Sequence, residues 1–331
     1  MDPFVLAVAI VVLGLVFDYT NGFHDCANIV STVIATRVLP PVAAIVLAGV
    51  LNTIGATQIG TVAATITSGL VNPLGVTQIT ILSAIVGAIA WNLITWYYGI
   101  PSSSSYALVG GLIGATWQTV GVKQVLWSGV VDKVVIPMIV SPFVGYGLAF
   151  IFMKALMYFS CRSKKVKNER LFGQLQIGSA SIVALSHGLN DAQKSMGLIT
   201  LGLFASRVIP NQTVPIWVVL ACALVMGLGT ASGGIRIIKT VGFSITPLDR
   251  MQGFAAEVSA SVVILFASFL GMPISSTHMI IGSITGVGSA KSIRGVRWGI
   301  WRKLSVGWVF TLPGSAMISS AFTYFIRIVS N

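Results

Sequence analysis

Two polar stretches of the sequence hold most of the side chains that can bind cations. The first, residues 21–32, reads N-G-F-H-D-C-A-N-I-V-S-T, and the second, residues 186–197, reads S-H-G-L-N-D-A-Q-K-S-M-G. Each follows an apolar run and centres on one carboxylate, Asp25 or Asp191. Hard cations such as sodium prefer carboxylate, carboxamide and carbonyl oxygens, which become available where a membrane helix unwinds. The sequence therefore predicts a cation site at each stretch.

The candidate cation ligands are the oxygen-bearing side chains of these stretches. They are Asn21, Asp25, Asn28, Thr32, Asn190, Asp191 and Gln193. His24 is predicted to pair with its neighbouring carboxylate or to carry a proton. Lys194 is predicted to pair with the second carboxylate or to contact an anion. The alternative is that the aspartates only cap broken helices, and the duplication of the motif argues against it.

Two further stretches carry chemistry suited to an anion. Residues 99–105 read G-I-P-S-S-S-S, and residues 271–278 read G-M-P-I-S-S-T-H. Glycine permits a tight turn, proline suits the first turn of a helix, and hydroxyls cap helix N-termini, which bind oxyanions. Alternatively, the hydroxyls bond only within their own helices. The candidate anion ligands are Ser102, Ser103, Ser104, Ser105, Ser275, Ser276, Thr277 and Lys194.

The spacing of these motifs indicates an internal duplication. Asp25 and Asp191 are 166 positions apart, and Pro101 and Pro273 are 172 apart. In transporters such repeats are often inverted, with the substrate site at their interface. We predict a first membrane repeat at 1–160, a basic cytoplasmic linker at 161–170 and a second repeat at 171–331. Each polar Asp stretch is predicted to interrupt a helix, with helices over 4–20 and 27–38 in the first repeat and a helix ending at 185 in the second.

Composition places these motifs in a membrane protein. Hydrophobic residues make up 55% of the chain and charged residues 8%, with a mean hydropathy of +0.91. Soluble domains carry about 25% charged residues. Apolar runs of about 20 residues recur along the chain and favour an all-α polytopic membrane protein built from two inverted-topology repeats with broken or re-entrant helices.

The net charge of +12 does not indicate nucleic-acid binding. Five of the 20 basic residues fall in 162–170 and five more in 291–303, both short polar links between apolar runs. The positive-inside rule therefore predicts that both links are cytoplasmic. Together with inverted symmetry, this places both termini outside.

These motifs together resemble the inorganic phosphate transporter family, the sodium- or proton-coupled phosphate permeases. The likeness rests on the two Asp stretches and the two Pro-Ser stretches, covers nearly the whole chain and is nearest the bacterial branch. It implies phosphate and cations bound between the halves, a homodimer, and a multi-pass protein of the inner plasma membrane. Glu257 aligns with a family glutamate, which adds it to the cation ligands. Asn52 stands where animal members carry a second glutamate, so one carboxylate is missing here.

The resulting prediction is a symporter that imports inorganic phosphate with a cation, sodium being favoured over the proton. Sodium is the one metal that this prediction implies, and the cation ligands would bind it as the coupling ion. No cofactor and no nucleic-acid partner are predicted. One alternative is a proton-coupled phosphate or sulfate permease. A second, from another class, is an ion channel in which the two aspartates select the ion. Nothing in the sequence has the metal-ligand spacing or nucleophile motif of an enzyme.

Overall fold

A computed structural model describes residues 2–58, 60–162 and 169–330 of the chain. Within these ranges the secondary structure is helical apart from one isolated β-bridge between Val71 and Val125. Most of the predicted basic linker, residues 163–168, lies outside the described residues. The linker and its boundaries therefore stay predictions.

The two halves contain helices in the same order, except that the short α6 of the first half has no separate counterpart in the second. The first half comprises α1 (Pro3–Ala35), α2 (Pro41–Ala56), α3 (Thr61–Ser68), α4 (Gln78–Tyr97), α5 (Ser104–Val120), α6 (Trp127–Val130) and α7 (Ile136–Arg162). The second comprises α8 (Glu169–Ala205), α9 (Ile216–Ser232), α10 (Ile235–Lys239), α11 (Arg250–Phe269), α12 (Ser276–Lys291) and α13 (Trp298–Ser330). Packing is reciprocal between the halves, because α1 packs on α9 as α8 packs on α2, and α5 packs on α13 as α12 packs on α7.

The long helices α1 and α8 run through the Asp stretches without a break, so the predicted helix breaks there are wrong. α1 has 33 residues and α8 has 37. In a helix, residues spaced by three and four positions share one face, so Asn21, Asp25, Asn28 and Thr32 form a single stripe. Their side chains find partners across the bundle while the backbone keeps its own hydrogen bonds, as an apolar surrounding requires.

The breaks occur elsewhere in each half. α2 and α3 form a bent pair at 71°, and α9 and the segment from α10 to Ser244 form another at 60°. A further break precedes α5 and α12. There Gly99 and Gly271 adopt left-handed φ values of 65° and 67°, which suit the tight turn that the sequence predicted.

The outer surface of the bundle fits a lipid environment. In the described residues, five helices are long and apolar enough to cross a membrane, or up to seven spans if each bent pair counts as one. α8 is less apolar than these helices, yet its 37 residues extend about 55 Å, which is long enough to cross a membrane. Large apolar side chains of α13 point outward, with Val309 66% and Met317 72% exposed. The chain is therefore an all-α polytopic membrane protein.

Candidate functional site

α1 and α8 cross the centre of the bundle as an antiparallel pair, and their polar stripes face each other. At one end the Ser195 hydroxyl donates to Asp18 Oδ1 at 2.6 Å. At the other end Thr36 Oγ1 donates to Gln176 Oε1 at 2.9 Å. Because low numbers on one helix meet high numbers on the other, the two helices run in opposite directions. The contact between these two helices, the α1–α8 seam, brings the two Asp stretches together at its middle.

At the centre of the seam the two motif carboxylates meet. One ligand atom from each of Asp25, His187 and Asp191 lies within 4.8 Å of the other two. These side chains are at most 3% exposed. Buried charges persist only when paired or hydrogen-bonded, so each carboxylate requires partners from the surrounding helices.

Asp25 has partners from both halves of the chain. His24 Nδ1 lies 2.9 Å from Oδ1, as the sequence predicted for this pair. The Ser104 hydroxyl of α5 donates to Oδ2 at 2.7 Å and lies 2.5 Å from Asn21 Oδ1. The Thr277 hydroxyl of α12 lies 3.4 Å from Oδ1. The starts of α5 and α12 therefore both reach this carboxylate.

Two basic side chains and one hydroxyl donor surround Asp191. His187 Nε2 lies 2.6 Å from Oδ2, and the Ser276 hydroxyl donates to Oδ2 at 3.0 Å. Lys194 forms a short ion pair with Oδ1. Because residues 187, 191 and 194 are spaced by four and three positions, they share one face of α8. The carboxylate is therefore charge-compensated from its own helix.

The Lys194 ammonium is fully occupied by protein acceptors. Besides Asp191, it donates to Ser105 Oγ at 2.5 Å and to the Ile274 carbonyl oxygen at 3.0 Å. An ammonium has three N–H donors, and these contacts use all of them. Lys194 thus ties α8 to the start of α5 and to the segment before α12. Its contact with an anion stays a prediction.

The two Pro-Ser stretches form helix N-termini, as the sequence predicted. Ser103 Oγ accepts the Tyr106 amide at 3.3 Å, and Ser275 Oγ accepts the His278 amide at 3.2 Å. Each serine is the N-cap of its helix, α5 or α12. The remaining first-turn amides of a helix lack intrahelical acceptors and carry partial positive charge, which favours anions.

The starts of α5 and α12 touch each other beside the carboxylates. Thr277 Oγ1 donates to the Ser102 carbonyl oxygen at 3.1 Å, and Ser105 Oγ donates to the Ile274 carbonyl oxygen at 3.3 Å. Asn28 Nδ2 donates to Thr277 Oγ1 at 2.9 Å and lies 3.4 Å from Ser276 Oγ. The structure thus links six of the eight predicted anion ligands, all but the N-cap serines Ser103 and Ser275, into one cluster with Asn21, Asp25, Asn28 and Asp191.

Glu257 forms a separate site toward one end of the α1–α8 seam. Thr32 Oγ1 donates to its Oε1 at 2.6 Å and Gln176 Nε2 to the same atom at 3.1 Å. Ser179 forms a short hydrogen bond with Oε2. Among the predicted cation ligands, Thr32 and Glu257 therefore belong together, away from Asp25 and Asp191.

Asn190 and Gln193 lie on other faces of α8 than Asp191 does. Asn190 Nδ2 donates to Ser268 Oγ at 2.8 Å. Gln193 Oε1 accepts the backbone amides of Val62 and Ala63 at 3.0 and 3.2 Å. Gln193 therefore caps the N-terminus of α3, where Gly60 offers no side chain of its own.

We expect Gln193→Ala to lower the free energy of unfolding by about 1 kcal/mol, the usual cost of a lost helix cap. Thermal unfolding of the purified protein in detergent measures this loss. Gln58→Ala removes an exposed glutamine and is the matched control. An unchanged unfolding temperature for Gln193→Ala would contradict the capping role.

Several residues of the site were not found by reading the motifs. They are Asp18, Gln176, Ser179 and His187, the last as a partner of Asp191. The helical period supplies the missing signal, because Asp18 lies seven positions before Asp25 and His187 four before Asp191. Asn52, at the family glutamate position, donates to Thr230 Oγ1 at 2.6 Å and lies 3.3 Å from His187 Nδ1.

Comparison with known proteins identifies the family. The phosphate transporter family model matches residues 21–319. A probable low-affinity inorganic phosphate transporter of Rhizobium meliloti is 42% identical over 97% of this chain and 96% of its own length. One of Bacillus subtilis is 41% identical over 97% of each chain. A putative phosphate permease of Pyrococcus abyssi is 28% identical over 99% of each.

A solved structure supports the fold. It is described as the sodium-dependent phosphate transporter and aligns with a TM-score of 0.87 at 23% identity, covering 98% of this chain and 100% of that chain. The family and these relatives are transporters and not enzymes, which agrees with the absence of enzyme motifs from the sequence. The chain is a membrane protein of the phosphate transporter family, as its sequence motifs predicted.

Proposed function

We propose that the protein is a cation-coupled symporter that imports inorganic phosphate, with sodium as the favoured coupling ion. The observation that carries this proposal is the meeting of two helix N-termini, those of α5 and α12, at the paired Asp stretches of α1 and α8. One arrangement therefore offers anion-binding amides and hydroxyls directly beside cation-binding carboxylates.

The anion is proposed to bind between the first turns of α5 and α12. Their partial positive charges and the hydroxyls of Ser104 and Ser276 suit a tetrahedral oxyanion. In the present conformation these hydroxyls point at Asp25 and Asp191. An arriving anion would take over their hydrogen bonds.

The two carboxylates also favour phosphate over sulfate. Near neutral pH phosphate carries at least one O–H group, which a carboxylate oxygen can accept. Sulfate carries none, so its oxygens would face Asp25 and Asp191 without a hydrogen between them. A desolvated acceptor facing an acceptor is costly, which argues for phosphate as the substrate.

The charges at the centre explain why a cation must accompany phosphate. Asp25 and Asp191 contribute two negative charges and Lys194 one positive charge, so one negative charge remains when the histidines are neutral. Adding an anion to this buried, net-negative site is strongly unfavourable. A bound cation offsets that charge, so phosphate and cation are expected to bind together.

Two oxygen-rich regions suit the coupling ion. The first surrounds Asp25 with Asn21 and Asn28, and the second surrounds Glu257 with Thr32, Ser179 and Gln176. Hydroxyl, carboxamide and carboxylate oxygens are typical ligands of hard cations. The fold is shared with a protein described as sodium-dependent, which supports sodium as the first candidate.

The proton is the second candidate for the coupling ion. Each central carboxylate contacts an imidazole, since His24 lies 2.9 Å from Asp25 and His187 lies 2.6 Å from Asp191. An imidazole nitrogen can accept or donate a proton, so such pairs can pass a proton to or from the carboxylate. This observation keeps proton-coupled transport as a distinct outcome of the uptake experiment.

The transport cycle is proposed to rest on two inverted repeats. In support, the halves share one order of helices, and the equivalent helices α1 and α8 run antiparallel. Such repeats allow the site to open to each side in turn. The location of both termini outside is proposed from the basic links and the inverted symmetry. The homodimer and the inner plasma membrane are proposed from the family.

We expect Ser104→Ala and Ser276→Ala each to raise the apparent KM for phosphate about tenfold. Each removes one hydrogen bond to a charged ligand, which contributes about 1.5–3 kcal/mol. Concentration-dependent uptake measures the change. Ser259→Ala is the matched control, because this buried hydroxyl donates to the Ala255 carbonyl of its own helix and to no other acceptor among the described residues. Unchanged KM values in both variants would show that the hydroxyls serve packing alone.

Radiolabelled phosphate uptake into proteoliposomes tests the proposed function. A sodium gradient and a pH gradient are imposed separately, each with and without excess sulfate. A sodium–phosphate symporter is supported if the sodium gradient drives phosphate to a higher concentration inside than outside and excess sulfate does not compete. If only the pH gradient drives phosphate uptake, the coupling ion is the proton. Passive equilibration without accumulation would contradict symport and favour a channel, and strong sulfate competition would contradict phosphate selectivity.

A further inference from the structure

Asp18 is a buried carboxyl group outside the central site, and it supports an inference that rests on the proposed function. It lies on α1, three positions before Asn21 on the same stripe, and none of its surface is exposed. The Ser195 hydroxyl of α8 donates to Oδ1 at 2.6 Å. Oδ2 is also buried, and no donor reaches it within the described residues.

The partners of Asp18 differ from those of the two motif carboxylates, Asp25 and Asp191. Asp25 and Asp191 contact basic side chains, whereas no ion pair includes Asp18 in the described part of the chain. An ionised carboxylate buried with a single donor costs several kcal/mol, while a neutral carboxylic acid costs far less. The environment therefore favours the carboxyl group carrying its proton in this conformation.

The groups facing Asp18 reinforce this preference. In the part of the chain that the structure describes, Asp191 on α8 and Cys222 on α9 are the titratable side chains that face it from the helices packed against α1. Neither supplies positive charge, and the negative charge of Asp191 favours a neutral neighbour. Ser195 lies beside Lys194 and one turn beyond Asp191, so the charge of Asp18 is positioned to act on the central site.

We propose that Asp18 is a proton-binding site that is filled and emptied once in each transport cycle. In the closed conformation that carries phosphate, a proton bound at Oδ2 makes the group a carboxylic acid, while Ser195 donates to Oδ1. When the α1–α8 seam opens to the inside, that proton leaves to water with phosphate and the group becomes a carboxylate. The emptied transporter returns without the proton, and water on the outside supplies the next one, so one proton enters with each phosphate beside the cation held at the central site.

The test compares two activities of Asp18→Asn in proteoliposomes with equal sodium on both sides. Exchange of internal for external phosphate at equal pH involves no net proton movement, and a neutral carboxamide imitates the protonated carboxyl group. We therefore expect exchange to persist in Asp18→Asn. Net uptake under an inward gradient of one pH unit should reach about tenfold accumulation for one coupled proton in the unmodified protein. Asp18→Asn should lose that accumulation.

Two further variants make the result decisive. Asp18→Glu keeps a carboxyl group and should keep pH-driven accumulation, and Asp132→Asn removes an exposed acid and should change neither activity. Accumulation in Asp18→Asn equal to that of the unmodified protein would overturn the proposal. Loss of exchange in Asp18→Asn would overturn it too, because Asp18 would then serve structure or phosphate binding. Failure of the unmodified protein to exchange phosphate would instead refute the proposed function itself.

Discussion

Asp25→Asn is expected to reduce sodium-driven phosphate uptake at least about 100-fold while the protein still folds. A carboxylate 4 Å from a bound cation contributes about 4 kcal/mol at an effective dielectric constant of about 20, which corresponds to about 1000-fold in cation affinity. The carboxamide keeps the shape of the side chain and still accepts a hydrogen bond from Ser104. Uptake into proteoliposomes at a fixed sodium gradient measures the loss.

The control for this variant is Asp132→Asn, which removes an exposed carboxylate of the same chain. It should transport at the rate of the unmodified protein. Size-exclusion chromatography and thermal unfolding in detergent establish that Asp25→Asn is folded, which its intact hydrogen-bond partners lead us to expect. Normal uptake by a folded Asp25→Asn protein is incompatible with a cation site at this carboxylate.

The second large effect concerns the buried ion pair between Asp191 and Lys194. Lys194→Met leaves the carboxylate without its ammonium, and breaking a buried pair costs about 3–5 kcal/mol. The double variant Asp191→Asn/Lys194→Met removes both charges and should recover most of that loss. Both variants should lack transport, because Lys194→Met disrupts the centre and the double variant lacks the carboxylate. Unfolding in detergent and phosphate uptake measure the two effects separately.

This comparison separates stability from transport at one position. A double variant that is less stable than Lys194→Met would show that the ammonium is not the principal counter-charge of Asp191. His187, which lies 2.6 Å from the same carboxylate, would then carry that role. Transport by the double variant would remove Asp191 from the proposed coupling site.

The sequence was sufficient to predict the starts of α5 and α12, because their chemistry is local. A glycine with positive φ, a proline and a capping serine specify the start of α5 within a few residues, and the same pattern recurs at α12. Ser103 and Ser275 are the observed N-caps. The pairing of His24 with Asp25 was likewise predictable, since the two residues are adjacent in sequence.

The continuity of α1 and α8 was not predicted, because polar residues inside an apolar run were interpreted as a break. Spacings of four, three and four positions among Asn21, Asp25, Asn28 and Thr32 fit one helix face, and this period was the stronger signal. The distribution of partners depends on long-range packing instead. Nothing local in the sequence indicates that Gln193 caps α3 or that Glu257 lies beside Gln176.

The central claim is that phosphate and its coupling cation bind to one shared site between α1, α5, α8 and α12. Equilibrium binding of radiolabelled phosphate to the purified protein, at several sodium concentrations and two pH values, tests it most directly. Thermodynamic linkage requires that a cation which increases phosphate affinity is itself bound more tightly in the presence of phosphate. We predict that sodium strengthens phosphate binding in the unmodified protein and not in Asp25→Asn. Phosphate affinity independent of both sodium and pH would contradict the account.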